Sequence, residues 1–367
     1  KELIEHDMPN GLSVVYKALK KLHLHSPKYY HYTQLYNKQI AYTIALDKAE
    51  GLLADFSKLL SEYSISRKKE LHEILWLMKK EMANICRLYE SHHLQVYKSI
   101  IDVSFALFIH FPDAVKEDEP IQDTLEKMEV ILKTYTKDTT YQFLKNVYNF
   151  LCFEYYKSIR QVKKAAQYFD ELNKNISMFL LFTHCTVPTK FLLSKIEYYQ
   201  QHQPSENSAG VEPLDFKPAL GDNAASVNYS KYCAVNYIHE GNYADAEKIL
   251  NKLLNDVVFR YFPHSEIEIK LLLVLCLSFM NQYDDANIVL TSIQRKIREV
   301  NEIGEYENVV VFVKIARILT GGSQSIRTEQ NRLKMLCEKF GVLNTGRTAM
   351  LEYLNTDCLF VKNDRNR

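Results

Sequence analysis

Two segments of this chain carry one pattern in register. Tyr243, Asp245, Ala246, Ile249 and Leu250 in the first recur as Tyr283, Asp285, Ala286, Val289 and Leu290 in the second, forty residues later. Apolar or small residues every three or four positions trace one face of an α-helix. Each copy follows a short polar step, Glu240-Gly241-Asn242 or Asn281-Gln282, so each reads as the second helix of a helix-turn-helix unit. One such unit cannot bury its apolar face alone, whereas consecutive units stack and cover one another. A third, weaker copy begins at Val162 with Ala165 and Phe169, 81 residues before Tyr243 and close to two repeat lengths. The pattern predicts an all-α chain that includes stacked helical hairpins.

The distribution of helix breakers agrees. The chain has only 10 Gly and 9 Pro in 367 residues, with none between Gly51 and Pro112 or between Pro120 and Pro188. Long stretches without breakers predict long helices. Ser26-Pro27 reads as a cap followed by proline at the first helical position. From there a seam runs Tyr32, Leu35, Gln39, Tyr42, Leu46, Ala49, Leu53, Phe56, Leu60, Tyr63. Alternating steps of three and four predict a coiled-coil-like helix of about 36 residues, roughly 54 Å long. A second seam, Leu71, Leu75, Met78, Met82, Ile85 and Tyr89, predicts an antiparallel partner for it, with a shorter helix from Leu12 to about His23 as a third member. If the 32–63 seam does not close within the chain, it offers a homodimer contact. Three domains are expected: an N-terminal long-helix bundle over 1–111, helical repeats over 112–320 with a mobile loop at about 204–222, and C-terminal helices with a frayed tail over 321–367.

The repeat residues resemble the tetratricopeptide repeat family. In that family a small residue and an aromatic on the first helix pack against the second. An aromatic, an Ala and a large apolar residue then follow on the second helix. Ala234, Tyr237, Tyr243, Ala246 and Leu250 take these places, and Tyr283, Ala286 and Leu290 repeat the last three. The resemblance implies a right-handed α-solenoid of helix pairs with a groove lined by the first helices. Carried over residue by residue, the groove positions are Asn228, Lys231 and His239 in the best unit, Glu268 and Ser278 in the next, and Glu154 and Lys157 in the earlier one. Apolar Val235, Ile238, Leu271 and Leu275 lie on the same faces, where burial by a neighbouring helix is the competing reading. Family members that grip a peptide's terminal carboxylate set several Lys, Arg and Asn there; this chain's best unit has one Lys and one Asn.

Charge and motifs narrow the functional classes. Lys plus Arg (46) balances Asp plus Glu (45), so no overall field attracts nucleic acid or an anionic membrane. Basic clusters at Lys20-Lys21, Arg67-Lys68-Lys69 and Lys79-Lys80 stand beside acidic residues and read as solvated helix faces. Seven cysteines, an odd count without a Cys-x-x-Cys pair, read as reduced thiols and predict a cytoplasmic setting. The histidines at 23, 25 and 31 read as a helix corner. His92 and His93 point about 100° apart on a helix and read as structural or surface residues. No metal, no cofactor and no catalytic motif are expected. The sequence therefore predicts a non-catalytic scaffold or adaptor with a protein or peptide partner in the repeat groove. The alternative is a ligand-responsive regulator in which a bound peptide repositions the N-terminal bundle, a layout resembling bacterial peptide-sensing regulators.

Overall fold

A computed structural model describes residues 3, 6–109, 119–177, 187–202, 216–219, 221–300, 305–321 and 328–354. The chain forms two compact units, Lys1–Leu60 with Lys69–Phe179 and Ser61–Lys68 with Leu180–Arg367. All regular structure among the described residues is helical. None of these helices is long and apolar enough to cross a membrane.

The first unit holds α1 (Pro9–Leu22), most of α2 (Lys28–Ser66), α3 (Lys69–Leu88), α4 (His92–Phe108), α5 (Ile121–Thr134), α6 (Thr139–Ser158) and α7 (Val162–Lys174). Helix α2 runs 39 residues. Its seam is buried at Tyr42, Ala49, Phe56, Leu60 and Tyr63, but Leu52 is buried where Leu53 was expected, and Tyr32, Leu35 and Gln39 are only half-buried. A straight helix drifts about 20° per heptad against a strict 3.5-residue seam, which shifts the covered stripe sideways. The chain itself covers the middle of this seam. Helix α3 runs antiparallel to α2, with Lys48 paired to Glu81 at 2.6 Å and the Tyr42 and Tyr89 rings 5.4 Å apart.

One expectation for this unit needs correction. Lys79, read as part of a solvated basic face, is buried with its ammonium 3.9 Å from Asp102 and over the Phe105 ring. Its long aliphatic stem lets it lie across the α3–α4 contact. The expected break near 111 falls at 110–118, outside the described residues, but α5 and α6 both pack on α4. Helices on either side of that point lie in one compact unit.

The second unit holds α8 (Val187–His202), α9 (Asn223–Glu240), α10 (Tyr243–Asp256), α11 (Pro263–Phe279), α12 (Tyr283–Val300), α13 (Glu307–Thr320) and α14 (Gln330–Leu343). From α8 onward each helix packs on the next, and α9, α11 and α13 also touch in sequence. Helix α11 is central. Thirteen of its seventeen residues are buried, as expected of a helix that is apolar on nearly every side. Ala246 on α10 and Ala286 on α12 are both fully buried, so the small residue sits at a close approach in both copies. Most of the loop expected at 204–222 lies outside the described residues; of the part that is described, Phe216 packs edge-on to Tyr229, 5.1 Å away.

All three copies of the repeat turn close in the same way. The residue two positions before the second helix is left-handed in each: Arg160 at φ 57°, Gly241 at 78° and Asn281 at 60°. The next amide reaches back five residues, from Gln161 to the Tyr156 carbonyl, Asn242 to Tyr237, and Gln282 to Leu277, at 2.8–2.9 Å. This six-to-one bond satisfies a carbonyl that the helix end would leave orphaned. Gly at 241 and Asn at 281 suit the left-handed conformation; Arg at 160 does not, which explains why the first copy is hard to see in sequence.

Candidate functional site

The site lies in the second unit, where residues 344–354 cross its first helices. Helix α14 ends at Leu343, and the chain then makes a single 3₁₀ turn, Gly346–Thr348, before running on without helix. Of the C-terminal helices and frayed tail expected over 321–367, α14 is a helix, this non-helical stretch was not foreseen, and the tail lies outside the described residues. Ala349, Met350, Leu351, Tyr353 and Leu354 are all buried, so the segment is a strap that belongs to the core. Residues 355–367 lie outside the described residues.

Polar side chains fix the strap's path. Asn344 closes a loop on itself: its side-chain amide donates to the Met350 carbonyl at 2.7 Å and its side-chain oxygen accepts from the Met350 amide at 2.9 Å. Asn308 on α13 donates to the Asn344 oxygen and the Thr348 carbonyl, both at 2.8 Å. Arg347 donates to the Arg67 carbonyl at 2.5 Å and pairs with Glu305. A buried loop backbone needs such partners because it has no helix of its own to satisfy it.

At the centre, Lys231 of α9 and Glu268 of α11 form an ion pair at 2.8 Å, each side chain only 6% exposed. The other Glu268 oxygen accepts from the Leu351 backbone amide at 2.9 Å. Leu351 holds φ 57°, a left-handed conformation that is strained for Leu. That geometry places its amide on the carboxylate while its side chain is buried. The Lys231 ammonium also lies over the Tyr353 ring, 5.7 Å from its centre, within cation–π range.

Electrostatics follow from this enclosure. Burial alone would raise the Glu268 carboxyl, but the Lys231 charge leads the opposing influences, joined by the Leu351 amide, and holds it at about 2. His264, one turn earlier on α11, is driven the other way: burial first, then the Arg67 charge, lower it to about 3. It is a neutral imidazole at physiological pH. Burial, reinforced by the Glu268 charge, pushes the Tyr353 phenol well above its ordinary range. Nearby Ser265 donates to the Ile65 carbonyl at 2.8 Å. The carboxylate and the ammonium thus neutralise each other in a buried centre covered by the strap.

The groove residues expected from sequence separate into groups. Lys231 and Glu268 meet, but in a buried pair rather than as open groove charges, so Lys231 is committed to an internal carboxylate and forms no clamp for a peptide terminus. Asn228 and Ser278 are buried; the Ser278 hydroxyl turns back to the Val274 carbonyl of its own helix. His239 is half-buried. Glu154 and Lys157 belong to the first unit, where they pair within α6 at 3.0 Å. Val235, Ile238, Leu271 and Leu275 are all buried. Of the repeat signature, Ala234, Ala246, Leu250, Ala286 and Leu290 are buried, while Tyr237, Tyr243 and Tyr283 are half-buried.

Reading the sequence missed Arg347, Leu351, Tyr353 and His264. The available signal was the run Met350-Leu351-Glu352-Tyr353-Leu354, too apolar for an exposed tail. Burial pushes the Cys86 thiol up to about 11 and those of Cys152 and Cys276 to about 12, so these three stand far from the thiolate form a nucleophile needs. Compared with family models, curated proteins and solved structures, the chain gives no match.

Proposed function

We propose that the chain is a non-catalytic scaffold whose second unit binds a non-helical peptide segment across the first helices of stacked, tetratricopeptide-like hairpins. Its own residues 344–354 fill that place in the present structure. On this reading α9–α10 and α11–α12 are successive turns of a right-handed solenoid, and α9, α11 and α13 line its inner surface. The observation that carries the proposal is the contact set at Glu268. One carboxylate oxygen takes a backbone amide from a non-helical, turning segment, the other is held by Lys231, and an aromatic two residues on covers that lysine. Main-chain bonding supplies affinity and the aromatic supplies selectivity, as in other modes of peptide capture. The partner is accordingly a protein segment with a large apolar residue two positions before an aromatic, like Leu351 and Tyr353. No cofactor enters this function.

The test is to release the strap and supply it in trans. Met350→Asp with Leu351→Asp puts two charges into the buried segment and expels it. A fluorescent peptide of residues 344–354 should then bind the released chain with one-to-one stoichiometry, and the wild-type chain far more weakly. Replacing the peptide's Tyr353 by Ala should weaken binding at least tenfold. A released chain that keeps its helical circular dichroism yet ignores the peptide refutes the scaffold reading.

A further inference from the structure

A second cluster of polar side chains, in the first unit, has no part in peptide binding. Ser91 caps α4 by accepting from the Leu94 amide at 3.3 Å, and His92 and His93 are the helix's first two residues. Mid-helix neighbours point about 100° apart, which was the reason to expect no shared ligand. In the first turn no preceding turn walls the side chains in, and the surrounding groups gather both rings to one side. Their centres lie 4.4 Å apart. The His92 ring stacks on Tyr135 at 3.7 Å, and its Nδ1 meets the Tyr141 hydroxyl. The His93 Nε2 meets Asp138, the cap of α6, at 2.7 Å. Asp7, from the segment ahead of α1, completes the group; its carboxylate accepts from the Tyr42 and Ser91 hydroxyls.

Each ring thus has one nitrogen engaged, and the other, His92 Nε2 or His93 Nδ1, is buried and makes no hydrogen bond of good geometry, with the His6 backbone near the His92 ring and Asp7 near the His93 ring. His93 itself is 9% exposed. Orphaned imidazole nitrogens facing a carboxylate are costly unless something joins them. The His93 Nδ1 stands 3.5 Å from the Asp7 oxygen, long for a hydrogen bond. It matches the ligand-to-ligand edge of about 3.3 Å in a tetrahedral site with bonds near 2.0–2.1 Å. All three potential ligand atoms lie within 4.8 Å of one another, so no edge need close by more than about 1.5 Å on binding.

We propose that Asp7, His92 and His93 bind a zinc-class divalent cation, with Asp138 as the positioning group that holds the His93 ring. Two imidazoles and one carboxylate favour zinc and its transition-metal neighbours over calcium or magnesium, which take oxygen ligands. A carboxylate on the far nitrogen of a ligating histidine is the usual outer partner of such a site. The two carboxylates, Asp7 and Asp138, balance the ion's two positive charges. The ion would tie the segment ahead of α1 to the N-terminal end of α4.

The full chain, made without a polyhistidine tag and stripped with a chelator, is titrated with Co2+ and then Zn2+. One Co2+ per chain with the intense visible absorption of a four- or five-coordinate centre, displaced by one Zn2+, is expected. His92→Ala and His93→Ala should each abolish stoichiometric uptake. Asp138→Asn, which keeps the shape and a hydrogen bond, should retain one site but weaken it by about 10–100-fold. His23→Ala should change nothing. If the alanine variants lose their circular dichroism, Asp7→Asn decides in their place. The proposal is overturned if the folded wild-type chain takes up no stoichiometric metal, if it yields only the faint spectrum of hydrated Co2+, or if uptake survives in folded His93→Ala.

Discussion

Replacing Lys231 by Met removes one charge from the centre of the second unit while keeping most of the side chain's volume. At 2.8 Å the attraction lost is about 6 kcal/mol for an effective dielectric constant near 20. The variant recovers part of this because Met needs no desolvation of an ammonium, and removal of one partner of a buried pair typically leaves a net loss of about 3–5 kcal/mol. The sign of the pH dependence then separates this cause from simple mispacking. In the wild-type chain the Glu268 carboxyl sits at about 2, below its unfolded value, so its contribution is present at neutral pH and is lost on acidification. In Lys231→Met, burial is no longer opposed by that charge and the carboxyl rises. The folded variant then takes up a proton at Glu268 more readily than the unfolded chain does. The deficit relative to wild type should therefore be largest near pH 7 and shrink towards pH 5. Amide hydrogen exchange of α11, read by mass spectrometry, reports opening of the second unit by itself. Adding Glu268→Gln, which removes the orphaned charge and keeps an acceptor for the Leu351 amide, should recover most of the loss. A cost below about 1 kcal/mol at pH 7, or the same deficit at pH 7 and pH 5, refutes the argument that the pair's charge holds the site together.

Two further outcomes follow from burial. His264, lowered to about 3, is protonated in the unfolded chain below about pH 6.5 but not in the folded one, so acid draws the equilibrium toward unfolding. The wild-type chain should lose about 1.4 kcal/mol per pH unit more than His264→Phe between about pH 6 and 4; urea titrations that give parallel pH profiles would refute this. Ala246→Leu and Ala286→Leu each insert bulk at a fully buried position and should each cost about 1–3 kcal/mol by overpacking. Losses below 0.5 kcal/mol in thermal unfolding, or losses at only one of the two sites, would mean that the two crossings are not equivalent.

Much of the helical framework is legible in the residues themselves. Scarce Gly and Pro together with apolar residues at helical spacing determine that the chain is helical. The forty-residue recurrence determines where Ala246 and Ala286 are enclosed, because a small residue at a helix crossing is dictated by neighbours a few positions away. The three turns also repeat, although Arg160 hides one of them; a strained residue is tolerated where the fold imposes its conformation. The site was less legible for one physical reason. Whether Lys231 and Glu268 face a partner or each other depends on what covers them, and that cover arrives from Leu351, 83 residues beyond Glu268. His92 and His93 are alike: their spacing argues against convergence, and only Tyr135, Asp138 and Asp7 bring their nitrogens together. Local pattern determined the helices and their small-residue crossings, because those depend on contacts repeated at fixed intervals along the chain. Tertiary structure decided the environment of every charged group that matters here, because desolvation and pairing are set by segments distant in sequence.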